Sequence, residues 1–108
     1  HWTIEGAVTS QFENHVRAVL GMPLGDTSAR FPSCMLTWIG TLPDRDKLLA
    51  IPGTHWHDYG KSPRAGRKVG HATVCAPDAA MLATRLEQVG HALGREAQVA
   101  PVIEALQA

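Results

Sequence analysis

Shortages in this 108-residue chain exclude most function classes before any motif is read. Cysteine is down to two residues, Cys34 and Cys75, too far apart for a CxxC site, so both are expected as reduced thiols in a cytosolic protein. Net charge is absent: ten Lys plus Arg balance ten Asp plus Glu, which removes the global positive field of a protein that lives on nucleic acid. No apolar run approaches the roughly 20 residues that cross a bilayer. No Lys/Arg-led signal segment opens the chain either, so neither a membrane nor a secreted location is expected, and the cytoplasm is. Aromatics make up only 6%, and Trp2, Trp38 and Trp56 are not interleaved with Lys or Arg, which suits core or interface positions better than a base-stacking platform. The strings GxGxxG, GxxxxGK[ST] and GxSxG are missing, as is a paired acidic motif for magnesium, so no complete nucleotide-dependent active site is written here.

What is present suffices for one domain. At 44% apolar, a chain of this size buries enough surface for an ordinary core without metal or disulfide staples. Because it opens on His1-Trp2-Thr3 rather than Met, it reads as a cut piece of something longer.

The spacing of apolar residues and of helix and turn signals predicts an α+β arrangement. Ser10 and Glu13 form a capping box, each satisfying the other's orphan amide, ahead of a helical stripe of Phe12, Val16, Val19 and Leu20 that Gly21 and Pro23 end. Residues 23–32 read as loop. Ser33 to Thr41 is a short apolar run between prolines and suits a strand, and Asp44 to Ile51 suits two helical turns. Thr54 to Tyr59 and Arg67 to Cys75 form an antiparallel hairpin around the turn-rich GKSPRAG connection. Pro77 and Asp78 open the longest helix, striped by Leu82, Leu86, Val89 and Leu93 and stopped by Gly94; a last short helix runs from about Val99 to Leu106.

Although the chain is neutral, its charge is unevenly placed. Between Asp58 and Asp78 there is no acidic residue, while Lys61, Arg64, Arg67, Lys68 and His71 all fall in that window. A Gly- and Pro-rich turn exposes backbone amides, and cationic side chains around it can hold a phosphate monoester by charge-assisted hydrogen bonds. The two-residue period of a strand puts Arg67, Val69 and His71 on one face and Lys68 on the other, so Arg67 and His71 can serve one ligand together. The plainer alternative is a solvated strand edge. His55, His57 and Tyr59 share a face, and His71 on the neighbouring strand could join the two histidines. With no cysteine or carboxylate at convincing spacing, structural or substrate-facing histidines are favoured over zinc ligands.

The strings SQFENHVRAVLGMPLGDT, MLTWIG, HWHDYGK and RAGRKVGH resemble the C-terminal third of the carboxyaminoimidazole ribonucleotide synthases, ATP-grasp enzymes of purine biosynthesis, over roughly residues 1 to 75. The resemblance implies an ATP- and bicarbonate-dependent carboxylation of aminoimidazole ribonucleotide, with ATP and magnesium bound mainly by a missing upstream part and this piece inactive alone. It implies residues 1–24 as the tail of the ATP-grasp domain and 25–108 as a C-terminal β-rich domain. That domain is a small antiparallel half-barrel of the rudiment single-hybrid-motif kind, carrying a C-terminal helix. Carried over by position, it implies Lys61, Arg67, Lys68, Tyr59 and His71 as substrate-binding residues and His1 as a catalytic-site residue near the reacting amine. Lys61 and Arg67 are the foremost grips on the 5′-phosphate, and no residue is assigned to cofactor or metal. The partners it implies are the ribonucleotide, the upstream ATP-grasp domains and a second copy in a homodimer. Thr37 departs from the Asn usual in the family's strand, which weakens a polar role there. Two alternatives stay open: the C-terminal piece of another purine ATP-grasp ligase, acting on glycinamide ribonucleotide, and a non-enzymatic anion- or nucleic-acid-binding module.

Overall fold

The computed structural model describes residues 1–108. In chain order the elements are α1 (Thr3–Gly6), α2 (Gln11–Val19), β1 (Ser33–Ile39), α3 (Arg45–Leu49), β2 (Thr54–Asp58), β3 (Lys68–Cys75), α4 (Ala79–Leu93) and α5 (Glu96–Gln107). The three strands form one antiparallel sheet in the order β1-β3-β2, so the hairpin of β2 and β3 is as expected and β1 closes the other side of β3.

Caps set the helix boundaries. Ser10 Oγ accepts from the Glu13 amide at 3.0 Å, but the reciprocal half of the expected capping box is replaced: the Glu13 carboxylate instead pairs with Arg17, one turn on. Asp44 caps α3 through the Asp46 and Lys47 amides, Asp78 caps α4 through the Met81 amide, and Gly94, at φ +65°, ends α4 in the left-handed conformation that glycine adopts without cost. Two helical stretches exceed the sequence reading. Residues Thr3–Gly6 form a turn that carried no apolar period long enough to detect, and α5 begins at Glu96, three residues earlier than the apolar pattern indicated. Pro101 lies inside α5.

The two faces of the sheet have different covers. Leu36, Trp38, Val69, Ala72 and Val74 turn toward Leu82, Leu86 and Val89 of α4, Val99 of α5 and Leu48 of α3, and together form the core. The Trp38 and Trp56 rings lie 6.0 Å apart on this side, so Trp38 is a core residue with the partly buried Trp56 packed against it, while Trp2 lies half-exposed over Gly6. The opposite face carries Ser33, Met35 and Thr37 of β1, Thr73 and His71 of β3, and His55 and His57 of β2. Glu5 of α1 reaches that face to bond His57. Residues 6–9 are tied to 26–30 by backbone bonds, including Val8 N–H to Ser28 O at 2.9 Å and Arg30 N–H to Gly6 O at 2.6 Å. Cys34 and Cys75 are both free, and burial pushes the Cys34 thiol up, away from reactive thiolate.

Candidate functional site: a cationic pocket at the end of the sheet

The pocket-forming end of the sheet is shaped by one irregularity. Trp38 pairs with Gly70 and the next residue, Ile39, pairs with Lys68, so Val69 is an extra residue in β3. A bulge of this kind turns two successive residues toward the same side and reverses the parity of everything beyond it. Val69 therefore joins the core, and Lys68 swings onto the face of Thr37 and His71. This corrects the strand-period reading, which put Arg67 with His71 and Lys68 on the other face. Two-residue alternation holds only where the ladder is regular.

The GKSPRAG connection is anchored rather than free. Gly40, at φ +85°, donates its amide to Arg67 O at 2.7 Å, and the Arg64 amide donates to Gly40 O at 3.1 Å, which explains why β1 ends at Ile39 and not Thr41. The Arg67 side chain folds back on this loop, donating from Nη1 to Ser62 O at 3.4 Å.

His1, Met35, Thr37, Tyr59, Lys61 and Lys68 line a pocket of about 320 Å³. The lining holds two lysines, an imidazole, a phenol and a hydroxyl, and no carboxylate, a donor-rich set suited to an anion. Lys61 Nζ sits 5.5 Å from the Tyr59 ring centroid. Of the residues singled out from sequence, Lys61, Lys68, Tyr59 and His1 are brought together here; Arg67 and His71 are not part of the lining.

His71 lies behind the wall instead. It is 1% exposed, stacks on His57 with ring centroids 4.4 Å apart, and its Nδ1 is 2.7 Å from the Tyr59 hydroxyl. Burial pushes the Tyr59 phenol up, so it keeps its proton. Burial first, and the neighbouring His57 second, push the His71 imidazole below its ordinary 6.5, with Glu5 pulling the other way. His57 is in turn bonded through Nε2 to Glu5 Oε1. Glu5 had no sequence signal, because its partner lies 52 residues away. No group of three or more His, Cys, Asp or Glu side chains is placed to hold a metal ion.

The depressed His71 value carries a stability consequence. Between the lowered folded value and 6.5 the unfolded chain holds a proton that the folded chain does not, so stability falls as pH drops through that window, by up to about 1.4 kcal/mol per pH unit. Above 6.5 the contribution is flat. Urea midpoints measured at pH 7.5, 6.5 and 5.5 are expected to fall more steeply for the natural chain than for H71N, whose amide oxygen still accepts from Tyr59 but does not titrate.

A three-stranded antiparallel sheet backed by helices, with a pocket lined by two lysines at one end, defines a small α+β domain. Residues 33–85 match the phosphoribosylaminoimidazole carboxylase C-terminal domain. The N5-carboxyaminoimidazole ribonucleotide synthase of Pseudomonas aeruginosa is 52% identical over 89 residues, 82% of this chain and 25% of that protein. The crystal structure of the Thermus thermophilus synthetase superposes with a TM-score of 0.83 at 49% identity, over 86% of this chain and 26% of the other. An Aspergillus clavatus synthase in complex with ADP and 5-aminoimidazole ribonucleotide gives 0.75 at 37% identity, over 85% of this chain and 27% of the other. The chain belongs to the N5-carboxyaminoimidazole ribonucleotide synthase family, corresponding to its C-terminal domain. It spans about a quarter of the length of the curated relatives it matches. These relatives do not favour the glycinamide ribonucleotide alternative.

Proposed function

We propose that this domain supplies the ribose-phosphate side of the substrate site in an ATP- and bicarbonate-dependent carboxylation of aminoimidazole ribonucleotide. The single observation that carries the reading is the convergence of Lys61 and Lys68, from opposite ends of the hairpin connection, on one pocket with Tyr59 and His1 and no carboxylate. The two ammonium groups take the 5′-phosphate. Tyr59 packs beside the ribose, and His1, at the pocket's other wall, stands nearest the heterocycle whose exocyclic amine is carboxylated. Arg67 holds the connection in shape through the Ser62 carbonyl and adds positive potential at the rim.

ATP and magnesium belong to the upstream ATP-grasp domains in this reading, since the chain carries neither GxxxxGK[ST] nor a paired acidic motif. Residues 1–24 are the last part of that ATP-grasp unit and 25–108 the C-terminal unit, and the three strands contribute to a half-barrel packed against it. The α2 face of Phe12, Val16 and Val19, with Leu20, lies open and is covered by the ATP-grasp core in the complete enzyme, a homodimer.

Titration of the isotope-labelled chain with ribose 5-phosphate is expected to shift the amide signals of Tyr59, Lys61 and Lys68. The chain given ATP, bicarbonate and aminoimidazole ribonucleotide is expected to release no phosphate. Shifts confined to another surface, or turnover by this chain alone, would sink the assignment. Single-stranded DNA binding that is tight and steeply salt-dependent, with no response to ribose 5-phosphate, would replace it with a nucleic-acid module.

A further inference from the structure

Behind the pocket wall lies a polar cluster that the phosphate grip does not use. Glu5 of α1, His57 of β2, and His71 of β3 with Tyr59 just beyond β2 are linked in series across three elements. The Glu5 carboxylate accepts from His57 Nε2, His57 stacks on His71 with the planes 16° apart, and His71 Nδ1 meets the Tyr59 hydroxyl at 2.7 Å. His57 and His71 are register partners, so the stack is a property of the sheet and not of loop packing. His1, 5.4 Å from the His71 ring, closes the cluster on the pocket side.

Burying such a chain of polar groups is costly, and an apolar filler would be cheaper unless the orientation matters. Three of the four buried side-chain polar atoms without a partner, Glu5 Oε2, His71 Nε2 and Thr73 Oγ1, belong to residues on this one face. The chemistry is ordered by the ends. If the Tyr59 phenol donates to Nδ1, a neutral His71 carries its proton on Nε2. A carboxylate at the other end obliges His57 to present Nε2–H to it. The Glu5 carboxylate and the Tyr59 hydroxyl thus hold the two stacked rings from opposite ends.

We propose that Glu5 and His57 are positioning residues for the pocket: by fixing the planes of His57 and then His71, they hold the Tyr59 phenol in the pocket wall. The proposal rests on the reading of that pocket as the ribonucleotide site. Glu5 and His57 touch no pocket-lining surface themselves and act only through His71 and Tyr59.

Nitrogen NMR of the histidine side chains in this chain is expected to show His71 as the Nε2–H tautomer with a hydrogen-bonded Nδ1. That pattern is expected to be lost in E5A and kept in E5Q, whose amide oxygen still accepts from His57. In an intact synthase carrying this domain, E5A is expected to raise the KM for aminoimidazole ribonucleotide 5- to 20-fold with kcat within twofold, and E5Q to recover most of the loss. Because E5A strips a largely buried side chain, Y59F gives a second readout: deleting one oxygen is expected to move the His71 Nδ1 signal and raise KM similarly. An Nδ1–H tautomer in the natural chain, or a His71 spectrum unchanged by E5A, overturns the proposal. So does an E5A enzyme with lost tautomer order and unchanged KM, while K61A and K68A still raise KM and leave the pocket reading intact. If none of these variants moves KM, the pocket reading itself fails and the proposal falls with it.

Discussion

Replacing Lys68 by alanine in an intact carboxyaminoimidazole ribonucleotide synthase carrying this domain is expected to raise the KM for the ribonucleotide by about 10- to 150-fold, with kcat nearly unchanged. The magnitude follows from a hydrogen bond to a charged group, worth about 1.5–3 kcal/mol, at about 1.4 kcal/mol per tenfold. It is assigned to KM because a grip on a phosphate remote from the reacting amine stabilises ground state and transition state alike. Lys68 reaches the pocket only because Val69 is an extra residue in β3. R67A is the internal control: Arg67 bonds Ser62 O and does not line the pocket, so its loss is expected to cost under about fivefold, an effect of rim potential and loop shape. K68R keeps the charge on a longer, planar head and is expected to fall between the natural enzyme and K68A. Steady-state kinetics at fixed ionic strength check all three. A larger loss for R67A than for K68A would restore the regular two-residue alternation and remove the bulge from the account of the site.

The parts of this molecule legible in the sequence are those governed by local chemistry. Asp44, Asp78 and Gly94 mark helix ends because a cap is a contact between near neighbours in sequence, and the Asp78 carboxylate does accept the Met81 amide at 2.8 Å. The hairpin was readable for the same reason, two apolar-rich runs flanking a Gly- and Pro-rich connection. What escaped is non-local. The bulge at Val69 arises from how β1 docks on β3, through Gly40 and the 60–66 connection, and nothing in RKVGHATVC announces it. Glu5 looked like one more acidic residue in an unremarked turn, yet it ends a chain of contacts that runs to the pocket wall. His71 shows the intermediate case. Its strand followed from the pattern, but its pairing with His57, its burial and its bond to Tyr59 required the register His57 to His71, which sequence alone did not fix.

Trp38→Ala is expected to cost about 3–5 kcal/mol of unfolding free energy, the range for removing a large buried aromatic. A single domain of this size has about 5–15 kcal/mol in total, so the variant would be near or below the threshold for folding at 37 °C. Trp38 is fully buried, packs on Trp56 at 6.0 Å and carries the Arg95 guanidinium over its ring at 4.9 Å, so truncation removes apolar area and a cation–π contact together and leaves a cavity between sheet and helices. Its ring also lies against Gly70, where an added Cβ would come within 3.3 Å of Trp38 Cδ1 and 2.5 Å of His57 O. The close approach that demands glycine at position 70 is thus shared between the core tryptophan and the strand bearing His57. W38F separates the contributions. The indole N–H is buried without a partner, so phenylalanine loses area but also removes an unsatisfied donor, and its expected cost is about half that of W38A or less. Urea unfolding of the three chains, compared through midpoints at equal m, measures both. Because Trp38 and Gly70 are paired at the edge of the bulge, W38F is further expected to weaken the ribose 5-phosphate response more than an equally destabilising change at Leu86 in α4, a core residue outside the sheet. Equal responses in the two variants would mean that the pocket depends on overall stability alone and that the Trp38–Gly70 contact does not hold Lys68 in place.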